Sequence, residues 1–294
     1  MASVSDNQQP LLVIVGSTAS GKTGLAIEVA KLHGGEIICA DSRTIYKGMD
    51  VGTAKPTDEE RQAVPHWGLD LVEPSEDFSA ADFKRYALEK IKEIRARGNL
   101  PIITGGTGLY IDAILFDYQF GPKVNASNRK RLEAMELDEL YLYCADNNIK
   151  LPENYKNKRY VIRAIEKKSI STTRKAEPID NTIVVGITTE NEELRNRIED
   201  RFEHMLKHDV VLEATMLGKK YGWQNQAMTG NIYPLIRLYL ENQITIAELR
   251  DKFTTLDWQL AKRQRTWLKR NPYIHWVSLT EALPTIRTLL AHEQ

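Results

Sequence analysis

Five short apolar runs punctuate the chain, and between them apolar positions recur at helical spacing. Residues 11–15 (Leu-Leu-Val-Ile-Val) end on a glycine, as a strand buried on both faces does. Similar runs predict strands at 36–40, 100–104, 183–188 and 274–278. Helical spacing predicts helices over 23–32, 80–96, 192–205, 210–221, 233–241, 258–269 and 284–292. Strands alternating with helices imply an α/β fold with a doubly wound parallel sheet. Residues 116–181 break the alternation. They are rich in Lys, Arg, Glu, Tyr and Asn and predict helices only, clearest at 128–140 and 160–168. The expected organisation is a sheet domain made of 1–115 and 182–294, with a mainly helical insertion domain at 116–181.

Composition narrows the class. Of 294 residues, 42% are hydrophobic and 27% charged, so the chain can build a sizeable core and is neither collagen-like nor disordered. Two cysteines, Cys39 and Cys144, make neither a disulfide framework nor a zinc finger, so a cytoplasmic protein is expected. No apolar run reaches membrane-spanning length, and residues 1–10 are a polar lead-in without the marks of a secretory signal. With no exposed apolar stripe apparent, a monomer is expected.

The 40 basic and 40 acidic residues cancel, which counts mildly against a nucleic-acid partner. Their distribution counts the other way. Residues 156–175 carry eight basic side chains and one acid, Glu166, and residues 262–270 carry five basic side chains and no acid. On composition alone such runs are as often solvated helix faces.

The chemistry starts at Gly16-Ser17-Thr18-Ala19-Ser20-Gly21-Lys22-Thr23. This is a full phosphate-binding loop, with a strand expected before it and a helix after it. Its glycines let backbone N–H groups face phosphate oxygens, Lys22 adds a point charge, and the Thr23 hydroxyl suits Mg2+. A P-loop NTPase-like sheet follows. The acid nearest in sequence, Asp41, ends the second strand, and no later apolar run ends in Asp-Glu. That disfavours a motor ATPase and leaves kinases and other diphosphate users open. Asp41 reads as a general base, a helix cap or a metal ligand.

The block Asp41-Ser42-Arg43-Thr44-Ile45-Tyr46-Lys47-Gly48-Met49-Asp50-Val51-Gly52-Thr53-Ala54-Lys55-Pro56 closely resembles the signature of the tRNA dimethylallyltransferases (tRNA isopentenyltransferases), bacterial type. So do Gly105-Gly106-Thr107-Gly108-Leu109-Tyr110 and Ala261-Lys262-Arg263-Gln264-Arg265-Thr266-Trp267. With the phosphate loop, four motifs stand in the family's order. The resemblance implies transfer of a dimethylallyl group from dimethylallyl diphosphate to the exocyclic amine of the adenine just 3′ of the anticodon. The phosphate loop then holds a diphosphate leaving group. Asp41 is implied as the base and Thr107 as a residue of the channel where donor and amine meet. Arg201 is implied to grip the diphosphate, a salt bridge to Glu199 or Glu203 being the plainer reading.

For the tRNA anticodon stem-loop the resemblance implies contacts from Asp41, Ser42, Arg43, Thr44, Arg129, Arg159, Tyr160, Val161, Ile162, Arg163, Lys262 and Arg263. The chain departs from the family at Thr44, where relatives commonly have Gln, at Tyr160, where they usually have Arg, and at Ser17, where Pro is common. Asp257-Trp258 also replaces an arginine region. Trp258 and Trp267 are expected as core anchors. Three readings compete: an adenylate isopentenyltransferase with a free nucleotide acceptor, a P-loop small-molecule kinase, and a non-catalytic tRNA chaperone. The basic segments argue against a small acceptor.

Overall fold

The structure, a computed structural model, describes residues 9–120, 126–167 and 173–292. Most of the polar lead-in, and Lys168 of the basic run, lie outside the described residues. The chain divides into two compact units, one of residues 1–115 and 177–294 and one of residues 116–176.

The first unit holds strands β1 (Leu11–Gly16), β2 (Gly35–Cys39), β3 (His66–Trp67), β4 (Leu100–Gly105), β5 (Thr182–Thr188) and β6 (His275–Ser278). They form one parallel sheet in the order β3-β2-β4-β1-β5-β6. The unit's helices are α1 (Lys22–His33), α2 (Asp58–Ala63), α3 (Ala80–Ala96), α4 (Gly108–Leu115) and, beyond the second unit, α8 (Asn191–Lys207), α9 (Val210–Tyr221), α10 (Ile232–Leu240), α11 (Ile246–Leu268) and α12 (Leu279–His292). All six residues of β1 are buried, as its unbroken apolar run requires at the centre of a parallel sheet. On one face, Leu12, Ile14, Ile102 and Val185 pack against Leu25 and Val29 of α1 and Ile286 of α12. A second core joins α8 to α11 through Phe202, Tyr233, Ile236 and Phe253.

Several elements differ from expectation for local reasons. The last long helix begins at Ile246, not near 258, because Thr245 and Glu248 form a reciprocal capping box. The final helix starts at Leu279, where Ser278 and Glu281 bond each other, and carries Pro284 inside it. Helix α4 has only Asp112 as a charged residue and offers no helical polar stripe to read. Strand β3 is two residues long, too short for a pattern.

The second unit contains α5 (Ala126–Ala134), α6 (Leu137–Asp146) and α7 (Lys158–Lys167). The single helix expected over 128–140 breaks in two, because Glu136 starts α6 with a capping box to Glu139. Leu132, Leu140, Cys144, Val161, Ile162 and Ile165 form its core.

Candidate active site

The register of β4 builds the site. Thr104 pairs with Cys39 on one side and Gly105 pairs with Val15 on the other. The residues that follow each strand therefore leave the sheet side by side at its carboxyl edge, where parallel sheets gather ligands. They are the phosphate loop after β1, Asp41 after β2 and Thr107 after β4. Gly105 is required by this closeness, since a Cβ there would stand 2.2 Å from the Ala40 carbonyl oxygen.

The loop turns into α1 through Gly21, whose φ of 86° favours glycine. Lys22 Nζ donates to the Ser17 carbonyl at 3.0 Å, and the buried Ser20 hydroxyl has no hydrogen-bond partner. Burial pushes the Lys22 ammonium down to about 8. Asp41 opposes that shift and the charge on Arg201 adds to it. An anion in the loop favours the charged form of this lysine. Asp41 Oδ1 accepts the Arg43 backbone N–H at 2.8 Å, an Asx-type turn that fixes the carboxylate. Thr107 sits beside it. Its Oγ1 accepts the Ser42 N–H at 3.1 Å and lies 3.4 Å from the Ser42 hydroxyl.

Arg201 reaches the loop from α8. Its guanidinium donates to the Thr18 hydroxyl and to the Thr53 carbonyl, and lies 3.9 Å from the buried carboxylate of Asp257. The salt bridge to Glu203 does not form; Glu203 pairs with Arg250 at 2.7 Å. One turn earlier, Arg197 donates to the Ala19 carbonyl at 3.5 Å, a contact that the sequence reading missed. Its i, i+4 spacing from Arg201 was the available signal.

The signature block 41–56 splits by role. Its front carries Asp41 and Ser42. Its tail is scaffold: buried Lys55 pairs with Asp50 at 2.7 Å and Asp70 at 2.6 Å, and Glu213 accepts the N–H groups of Asp50, Val51 and Gly52. Glu213 was also missed: it accepts backbone N–H groups 161 to 163 residues away, and the Tyr233 hydroxyl at 2.9 Å.

Among the residues expected to touch tRNA, Lys262 and Arg263 are exposed on α11, and Arg159, Tyr160 and Arg163 are exposed on α7. The others expected to touch tRNA are buried or bonded within the chain. Val161 and Ile162 have their side chains in the core of the second unit, which is what α7 buries to fold. Thr44 is buried too, its hydroxyl 3.5 Å from the Asp41 carbonyl it donates to. Arg43 is tied to the carbonyls of Gln226 and Ala227 and to the Thr229 hydroxyl. Arg129 bonds Glu133 and both oxygens of Glu166.

A family model described as IPP transferase matches residues 44–271. The chain belongs to the IPP transferase family. Among similar IPP transferases, the tRNA dimethylallyltransferase of Acetivibrio thermocellus is 41% identical over 288 residues, covering 92% of each chain. The solved structure of the full-length tRNA isopentenylpyrophosphate transferase from Bacillus halodurans matches with a TM-score of 0.74 and 32% identity, over 97% of both chains. The tRNA delta(2)-isopentenylpyrophosphate transferase of Staphylococcus epidermidis gives 0.73 and 34%, over 97% of this chain and 100% of its own. This IPP transferase therefore has the fold of its relatives over nearly its whole length. No helix among its described residues is long and apolar enough to cross a membrane.

Proposed function

We propose that the chain transfers the dimethylallyl group of dimethylallyl diphosphate to the exocyclic amine of the adenine 3′-adjacent to the anticodon in tRNA. The observation that carries this is the meeting of phosphate loop, Asp41 and Thr107 at one sheet edge, in a chain of the IPP transferase family. The amine nitrogen attacks the allylic carbon, the carbon–oxygen bond breaks, and diphosphate leaves. Asp41 takes the proton from nitrogen as its positive charge develops. Lys22, Arg201 and the N–H groups at the start of α1 bind the departing diphosphate, where negative charge builds. Thr107 lines the passage between amine and donor.

The Thr23 hydroxyl, at the start of α1 beside the phosphate loop, is a hard oxygen donor and would hold a magnesium ion accompanying the diphosphate. When bound, it supplies further neutralisation of the leaving group. An adenine stacked in the anticodon loop must be flipped out to reach Asp41, at a cost of a few kcal/mol. Exposed Lys262 and Arg263 offset that cost by holding the loop's phosphates. The enzyme acts as a monomer in the cytoplasm.

Radiolabelled dimethylallyl diphosphate, offered with tRNA lacking the modification or with AMP, tests the reading. Label in tRNA and not in AMP is expected. Label in AMP alone points to the adenylate enzyme, and none in either overturns prenyl transfer.

A further inference from the structure

The side-chain amide of Gln264 touches both walls of the site. Its Oε1 accepts the Thr18 backbone N–H at 2.7 Å. Its Nε2 lies over Gly106, so close that a Cβ there would stand 2.4 Å away. One turn further along α11, the Trp267 ring covers Gly108, where a Cβ would come within 2.1 Å, and the indole N–H donates to Asp112 at 2.8 Å. Thr18 is thus held twice, by Gln264 at its backbone and by Arg201 at its hydroxyl.

We propose that Gln264 is a positioning residue that ties the phosphate loop to the 105–108 turn and so sets the distance between the diphosphate and Thr107. The inference rests on the prenyl-transfer reading and deepens it. Thr18 is buried, so its N–H needs an acceptor. A neutral amide supplies one without placing negative charge beside a diphosphate. A lysine or arginine lacks the acceptor, a hydrocarbon leaves the N–H unpaired, and a carboxylate adds the wrong charge. With the Thr18 N–H engaged, the unpaired N–H groups at the start of α1 remain for the anion. The two walls belong to different strand ends, and a displacement of about 1 Å between reacting groups costs on the order of a hundredfold in rate.

The test compares Q264L, Q264E and wild type by three readouts: kcat at saturating substrates, diphosphate affinity by calorimetry, and hydrogen exchange at the Thr18 amide. In Q264L the Thr18 amide should lose protection and kcat should fall at least about fivefold, with diphosphate affinity within about threefold of wild type. Q264E keeps the oxygen acceptor. It should keep Thr18 protection while binding diphosphate more weakly. A smaller kcat loss in Q264L, loss of Thr18 protection in Q264E, or a Thr18 amide indifferent to Q264L overturns the proposal. Q264M, of equal length, replaces Q264L if that variant does not fold. Should the wild type label no tRNA, the prenyl-transfer reading fails, and Thr18 exchange still decides whether the tie exists.

Discussion

The hydroxyl oxygen of Thr107 accepts the backbone N–H of Ser42 at 3.1 Å, so a side chain on the turn after β4 is fixed to the residue that follows the candidate base after β2. Thr107→Ser keeps that bond and should keep transfer. Thr107→Val leaves the Ser42 N–H unpaired and should cost about 1–3 kcal/mol of stability. Thr107→Phe fills the passage. It should abolish transfer while tRNA affinity stays near wild type, by filter binding. Transfer that survives, or tRNA binding that falls in parallel, removes Thr107 from the passage.

Asp41→Asn preserves an oxygen acceptor for the Arg43 N–H and removes the base. Its kcat should fall by ~10²–10⁴, with the tRNA dissociation constant little changed. Single-turnover transfer and equilibrium binding measure the two separately. A kcat within a few-fold of wild type rejects Asp41 as base.

Lys22, pushed down to about 8, is charged below that pH and neutral above it. Affinity of the free protein for dimethylallyl diphosphate should therefore fall as pH rises through about 8. Lys22→Arg, charged throughout, should lack that fall. For stability the sign reverses. The folded value lies below the ordinary 10.5, so between about 8 and 10.5 the unfolded chain binds more protons and this group's contribution rises with pH. Calorimetric titrations at pH 7 and 9.5 check the first point, and thermal unfolding of the ligand-free protein checks the second.

Arg159 and Arg129 should separate binding from stability. Arg159 is exposed, so Arg159→Ala should weaken tRNA binding and lower the slope of log affinity on log salt by roughly 0.7–0.9. Arg129 bonds Glu166, whose side chain is fully buried. Arg129→Ala should lower stability by about 1–3 kcal/mol, leaving Arg163 at 3.5 Å as that carboxylate's remaining partner. A salt-slope change of equal size in both variants rejects the division.

The centre of the sheet was legible because a parallel strand buried on both faces writes itself as an apolar run, as Leu11–Val15 does in β1; edge strand β6, exposed to half-buried, has no such run. Strand order was not, since nothing in residues 11–105 says that β4 lies between β1 and β2. Helix starts went astray where a capping pair such as Thr245 and Glu248 outweighed the apolar spacing. Lys22, Asp41 and Thr107 stand out in sequence because each belongs to a recognisable block, and the strand register brings the three blocks to one sheet edge. Gln264 and Glu213 do not stand out, because each acts on backbone N–H groups more than 150 residues away, and a backbone partner leaves no mark in the sequence. The burial of Val161 and Ile162 was hidden for the opposite reason. They sit inside a basic run whose exposed members hide the apolar face that folds the helix.

The place of β4 also bears on the order in which the chain acquires its chemistry. The loop, Lys22 and Asp41 are all synthesised within the first 41 residues, but β1 and β2 do not touch; the gap between them is filled by residues 100–105. Until that segment leaves the ribosome and docks, the crossover through α1 joins two strands with no shared hydrogen bonds, and the loop-closure cost of bringing them to fixed spacing is not yet repaid. A nascent chain ending before residue 100 therefore carries the candidate base and the phosphate loop without the strand that sets them side by side. The bond from the Thr18 N–H to Gln264 needs α11 and so waits on a segment made about 160 residues later still.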